Sequence, residues 1–434
     1  MQRAFVNVCR FVLALTFIFS VYVKAIDPLG TQYKITDYLD VVGLGMYVPG
    51  YVTLSASVML AAVEFCAGVF LLFAIHRRVV SRLVLAFMAV MTPLTLWLAV
   101  AEPVADCGCF GDAVVLTNWE TFAKNVVLLA CAAVLCLRPL LMVRFISRTN
   151  QWIILNYTIF FILASSVYCL YYLPVFDFRP YHVGADIKKG MEIPDGAEQP
   201  KFETTFILEK NGERREFTID NYPDSTWTFI DSHTVQTAKG FVPPIHDFAM
   251  QTIDGDEDVT DSVLAHKGYT FLLVSPHIEH ADDLNFGDID MIYEYCRSHG
   301  YPFYCLTASN EKAIQRWRDL TGAEYEFLHT DDITLKTIIR SNPGLVLLKD
   351  AVVINKWSHN DLPDINENTP RLENTEYAVI GQDPLTGKVT KIVLVFILPL
   401  LLLTFADRMW AWTQWLKRKK HDNNLHQLLN KKEM

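Results

Sequence analysis

The sequence predicts a polytopic α-helical membrane protein that carries an α/β soluble domain. Three observations lead there. Hydrophobic residues fill 51 % of 434 positions and the mean hydropathy is +0.21. Apolar runs recur that are long enough to cross a hydrocarbon layer of about 30 Å at about 1.5 Å per helical residue. Charge is segregated: residues 174–388 hold 19 Lys and Arg against 37 Asp and Glu, net −18, which leaves +8 elsewhere in a chain of net −10. So acidic a soluble domain argues against nucleic acid or anionic lipid as its partner.

The apolar runs are Phe5–Ile26, Leu54–Ile75, Val79–Ala101, Phe122–Val143, Trp152–Leu173 and Val389–Trp410. The first is too long for a signal-peptide core and has no small-residue cleavage site before Asp27-Pro28, so it reads as a retained helix. Arg3, Arg10, Arg77, Arg78, Arg82, Arg138, Arg144, Arg148, Arg408 and Lys417–Lys420 fall in alternate connections or at the helix ends beside them. Asp27, Asp37, Asp40, Glu102, Asp106, Asp112 and Glu120 fall in the others. The positive-inside rule then expects both termini in the cytoplasm and the soluble domain in the periplasm of a bacterial inner membrane.

Lys24 closes helix one, placed to snorkel to the interface, and Pro28 and Gly30 are expected to stop it. Thr31–Gly50 reads as an aromatic surface loop with Tyr33, Tyr38, Tyr47 and Tyr51 among the headgroups. Helix two carries Glu64 near the expected midplane, where a carboxyl group must pair or protonate. It is either a functional carboxyl or a neutral one hydrogen-bonded between helices. Cys66 reads as a packing thiol. Helix three, with Pro93, runs into Asp106-Cys107-Gly108-Cys109-Phe110-Gly111-Asp112. Thr117-Asn118-Trp119-Glu120 then resembles a capped helix start. Cys131 and Cys136 read as structural thiols, and Cys169 lies near the end of helix five.

The expected organisation is a four-helix membrane bundle over residues 1–148, a fifth span over 149–174, and a hairpin-containing linker over 175–240. An α/β domain over 241–360, a tether over 361–388, a sixth span over 389–411 and a basic tail over 412–434 follow. Thr204–Ile219 has the pattern of a hairpin turning at Asn211-Gly212. Strands at Tyr269–Ser275, Pro302–Thr307 and Glu326–His329 alternate with helices at Asp288–Ser298, Ser309–Thr321 and Ile333–Arg340. Gly344–Lys349 and Ala351–Lys356 form a closing strand pair, giving an α/β sandwich.

Cys107 and Cys109 admit three readings. As a redox pair they close a small strained ring, for which Gly108 supplies backbone freedom, and such a bond is labile and oxidising. Alternatively each sulfur pairs elsewhere, with Cys169 the one other cysteine at the right depth. A zinc site would need ligands from distant parts of the chain.

Cys107-Gly108-Cys109-Phe110-Gly111 between helices three and four, with Glu64 in helix two, resembles the DoxX-like superfamily, and its methylamine-utilisation MauE branch in particular. The likeness covers roughly residues 1–145. Lys24-Ala25-Ile26-Asp27-Pro28-Leu29-Gly30 resembles the long form found in Bacteroidota. The resemblance implies a four-helix core and thiol–disulfide exchange, since MauE is associated with maturation of a disulfide-rich periplasmic dehydrogenase subunit. It also implies, by analogy only, a quinone as electron acceptor. Catalytic candidates are therefore Cys107, Cys109 and the intramembrane Glu64, and the expected partners are the bilayer and a periplasmic client or redox protein.

The soluble part is similar to thioredoxin-like domains of the TlpA/peroxiredoxin type. Pro243–Phe248 followed by Asp254-Gly255-Asp256 resembles the entry segment, and Ser341-Asn342-Pro343-Gly344 stands where the family places its cis-proline. Where W-C-x-x-C belongs, this chain has Pro276-His277-Ile278-Glu279, so the dithiol reaction cannot run there. His277, Glu279 and His280 read as a solvated loop rather than a metal site, and Cys296 and Cys305 as core thiols. Two further readings stand: a non-catalytic envelope scaffold, and an accessory subunit of a quinol-oxidising complex.

Overall fold

The computed structural model describes residues 1–102, 108–194, 196–197, 201–210, 213–218, 228–238, 240–254, 257–380 and 385–432. Among the described residues, six helices are long and apolar enough to cross a membrane. They are α1 (Gln2–Ile26), α3 (Gly50–Phe73), α4 (Arg77–Ala101), α5 (Asn118–Leu137), α6 (Gln151–Tyr171) and the membrane part of α12 (Leu385–Lys432). The last is largely uncovered by the rest of the chain, whereas α3 buries half of its span.

The stretch expected as a loop after helix one is instead α2 (Pro28–Val41). Pro28 stops α1 but occupies the first turn of α2, where its missing N–H costs nothing. Asp27 caps that helix, accepting from the Gly30 amide at 2.9 Å. Tyr47 and Tyr51 are exposed beyond α2, whereas Tyr33 lies beneath the cations of Lys336 and Arg340, 5.2 and 5.3 Å from its ring centre. The fourth span ends at Leu137 rather than Val143, because a residue before proline is driven out of the α region and Pro139 follows Arg138. Its start is the expected one. Thr117 accepts from the Glu120 amide at 3.2 Å, and Glu120 accepts from the Thr117 amide at 2.9 Å.

Helices α1 and α3 run antiparallel and close together. Ser57 Oγ donates to the Pro28 carbonyl at 2.9 Å, and a Cβ on Gly68 would stand 3.0 Å from that of Phe17. The bundle core gathers Leu13, Ala14, Val84, Met88, Leu128 and Ala132. At the basic end, Arg10 donates to the Val143 carbonyl at 2.5 Å and Arg77 to that of Met142 at 2.6 Å. Asp407 of α12 accepts from Ser147 and Asn150 at 2.5–2.8 Å, tying the last span to the start of α6.

The remaining strands form two sheets. β1 (Lys201–Lys210) pairs antiparallel with β2 (Glu213–Thr218), in register Lys210↔Glu213, and with β3 (Thr228–Ala238). The hairpin's expected turn, Asn211-Gly212, lies outside the described residues. The second sheet contains β4 (Gln251–Thr252), β5 (Tyr269–Val274), β6 (Phe303–Thr307), β7 (Glu326–His329), β8 (Gly344–Lys349) and β9 (Val352–Ser358). Its order is β4-β7-β6-β5-β8-β9, with β5, β6 and β7 parallel and the rest antiparallel. Every residue of β5 is buried, as for a central strand covered on both faces.

Helices α9 (Phe286–His299) and α10 (Glu311–Thr321) supply Ile289, Ile292, Ile314 and Trp317 to one face. Leu335 and Ile338 of α11 (Asp332–Ile338), Val263 and Leu264 of α8 (Thr260–Ala265) and Ile187 of α7 (Ile187–Met191) line the other. The Asn342–Pro343 peptide is cis. The segment expected as a tether after Asp361 packs instead: Ile365 and Leu372 are buried in the first core, and Tyr377 lies edge-on to Trp357. Its scattered apolar residues are what hold it to the sheet.

Candidate functional site

Chain direction alone brings the cysteine loop and the sheet unit together. α1 and α4 end, α5 begins and α6 ends on one side of the bundle, and the sheet unit follows α6 directly. Three groups of contacts complete the site: those that hold the loop, a buried ion pair at the same level of α1, and a second ionic cluster above.

Of the two cysteines, Cys109 is described and Cys107 lies outside the described residues. Cys109 is half-buried, and its carbonyl accepts from Ser20 Oγ of α1 at 2.5 Å. Phe110 packs obliquely on Phe19 at 5.7 Å, and the Lys124 ammonium sits over its ring, 4.1 Å from the centre. The Gly111 amide donates to the Gly108 carbonyl at 3.1 Å, closing a tight turn. Gly108 and Gly111 have φ of +62° and +51°, and a Cβ at Gly111 would stand 3.1 Å from Val23. Side chains are therefore excluded there both by conformation and by space. A small depression lined by Cys109, Phe110, Val114, Val115 and Thr121 opens beside the turn.

At the same level of α1, Lys24 Nζ lies 3.2 Å from Glu64 Oε2, with the two side chains 13 % and 6 % exposed. Lys24 thus turns inward instead of snorkelling. Glu64 also sits higher than expected. The contacts Ser57–Pro28 and Gly68–Phe17 put α3 residue 64 level with α1 residue 21. That is about 10 Å, at about 1.5 Å per residue, from the middle of α1 towards the loop. Lys24 is one helical turn beyond Ser20, on the same face of α1. Of the two readings open for Glu64, the ion pair satisfies the need for a partner.

Above the loop, Arg340, just after α11, grips Asp27 with Nε and Nη2 at 3.0–3.1 Å and stands 3.9 Å from Asp112. A Cβ on Gly30 would meet Arg340 at 2.8 Å and Asp27 at 2.3 Å, so this close approach requires glycine. Burial pushes the Asp27 carboxyl up, but Arg340 and then Arg179 outweigh it and hold it below the usual range. For Arg340 the opposing burial is likewise outweighed by Asp27, leaving the guanidinium above its ordinary value. Asp112 moves the other way, since burial raises it more than Arg340 lowers it.

Behind this pair, Asp177 accepts from Arg179 at 2.7 Å and Lys356 at 2.9 Å. Those two cations outweigh burial and keep Asp177 well below the carboxylate range. Burial holds Lys356 down to about 8, with Asp177 offsetting it in part. Ser358 and Asn360 donate to the Tyr171 carbonyl at 3.0 and 2.9 Å, serving the open carbonyl end of α6.

The other candidates sit on α6 and in the sheet unit. Cys169 is a buried free thiol. Cys296 and Cys305 are buried free thiols in the sheet core, pushed up by burial. His277 lies 3.2 Å from Asp332 and 3.6 Å from Glu279, which accepts from Ser309 at 2.5 Å. No group of three or more His, Cys, Asp or Glu suited to a metal occurs among the described residues.

One constellation has no sequence signal. Ser341 Oγ is 2.8 Å from His359 Nδ1, and His359 Nε2 is 3.7 Å from Asp282. Ser341 is buried, donates to the Pro343 carbonyl at 2.5 Å and accepts the His359 amide at 3.1 Å. Its proton is committed to the main chain, so it closes the turn before β8 rather than acting as a nucleophile.

Residues 2–138 match the family described as methylamine utilisation protein MauE, and residues 202–239 match a domain of unknown function (DUF8463). No curated protein and no solved structure matches the chain. The MauE match spans α1 to α5, including the loop with Cys109, the Lys24–Glu64 pair and Asp27. Over its first third, then, the chain is similar to the MauE family, in a stretch that holds four of the helices long and apolar enough to cross a membrane.

Proposed function

We propose that this protein exchanges thiols and disulfides with proteins of the cell envelope through Cys107 and Cys109, in a maturation process related to methylamine utilisation. The observation that carries the reading is the location of Cys109. It sits in a glycine-shaped turn, braced by Ser20 and Phe19, inside the segment matching MauE. In one exchange, a client thiolate attacks one sulfur of the Cys107–Cys109 disulfide. That S–S bond breaks as the mixed disulfide forms. The second client thiol then displaces the loop sulfur, so the client loses two electrons and two protons and the loop dithiol gains them.

The loop faces the periplasm in this reading, supported by the basic residues at the opposite bundle end. The sheet unit resembles a thioredoxin fold in its strand order and in the helices on both faces. It brings no dithiol of its own, since His277 and Glu279 stand where one belongs. It acts as a resident cover and docking platform over the loop. A Cys109→Ser variant tests the exchange: Cys107 is expected to accumulate a mixed disulfide with client proteins, separable by reduction. Absence of any captured partner favours a non-catalytic scaffold.

A further inference from the structure

We propose that Arg340 is the positioning residue through which the sheet unit controls the reactivity of Cys109; this rests on the exchange reading above. Arg340 belongs to the sheet unit, where Nη1 donates to the Lys336 carbonyl, yet its side chain is 8 % exposed and turns Nε and Nη2 to the bundle. It forks onto Asp27 at the start of α2 and reaches Asp112 of the cysteine loop at 3.9 Å. Asp112 stands three residues from Cys109, inside the turn closed by the Gly111–Gly108 and Ala113–Phe110 hydrogen bonds at 3.1 and 3.3 Å. A displacement of Asp112 is therefore passed to Cys109 within one turn of chain.

Ser20 on the Cys109 carbonyl and Phe19 and Lys124 on Phe110 anchor the loop from the bundle. Arg340 reaches it from the sheet unit. The residue type matters. A planar guanidinium can grip one carboxylate with two nitrogens while facing a second, whereas an ammonium offers a single point of charge. Tyr33 beneath Arg340 and the glycine required at position 30 fix where that fork lies. With the tie in place the sheet unit sits over the turn and Cys109 keeps one geometry. Without it the turn gains freedom and the cover loosens.

The test uses the full-length protein in nanodiscs, in a Cys107→Ser background, with Cys109 labelling by a maleimide followed over time. Arg340→Gln is expected to speed labelling about fivefold or more, the ratio that about 1 kcal/mol sets. Arg340→Lys should fall between it and the parent. Asp112→Asn leaves the Arg340–Asp27 pair intact and alters a side chain that is 49 % exposed, so it serves if Arg340→Gln does not fold. It should act in the same direction, and the double variant should match Arg340→Gln alone. Labelling at the parental rate in Asp112→Asn, or effects that multiply independently, overturns the proposal. The oxidation state of the unmutated loop, read separately, decides the exchange reading, so the two can fail independently.

Discussion

Removing one member of the Lys24–Glu64 pair should destabilise the bundle more than removing both. At 3.2 Å and an effective dielectric of about 20, the gross attraction is about 5 kcal/mol. Both side chains are nearly closed to solvent, so a single substitution leaves a buried charge without its partner, at a cost of about 3–5 kcal/mol. Lys24→Met and Glu64→Leu are each expected in that range. The double variant Lys24→Met/Glu64→Leu should lie within about 1 kcal/mol of the parent, because apolar replacement of a buried pair is often neutral. Reversible unfolding of the purified protein in mixed micelles, with all four members of the cycle measured, reads the coupling. Single variants within about 0.5 kcal/mol of the parent and strictly additive in the double would show that the two charges do not depend on each other.

Three other outcomes follow from the same contacts. Gly68→Val should weaken α1–α3 packing by about 1–3 kcal/mol, seen as a lower unfolding midpoint, since the new Cβ meets Phe17 at 3.0 Å and the Ile18 backbone nitrogen at 3.2 Å. Thr117→Ala, which removes the capping box of α5, should cost about 1 kcal/mol in the same assay. The carboxyls of Asp27 and Asp177 are held below their unfolded value of 3.8, so the stability they confer is present above that pH and is lost as pH falls below it. Stability measured against pH should therefore drop on that acid limb, and Asp177→Asn should flatten it while lowering stability at neutral pH.

Much of this architecture is legible in the sequence because it depends on local chemistry. The apolar runs mark the spans, Thr117 and Glu120 mark the start of α5, and apolar strands that alternate with helices mark the sheet. The start of α2 was legible too, since Asp27-Pro28 is a cap followed by a first-turn proline, but the same proline reads equally as a stop for α1. What the sequence does not disclose is contact between remote segments. Arg340 and Asp27 are 313 residues apart, and nothing in either neighbourhood names the other. Lys24 shows the same limit: beside a membrane face it reads as a snorkelling side chain, and the Glu64 carboxylate across the helix pair turns it inward. Ile365 and Leu372 are too sparse for a pattern, so a packed segment looks like a tether.

The most direct measurement is the state of Cys107 and Cys109 in intact cells, read by thiol-specific alkylation with and without prior reduction. The exchange account predicts that at least part of the protein resists labelling until it is reduced. Free labelling of both cysteines in unreduced cells would contradict it.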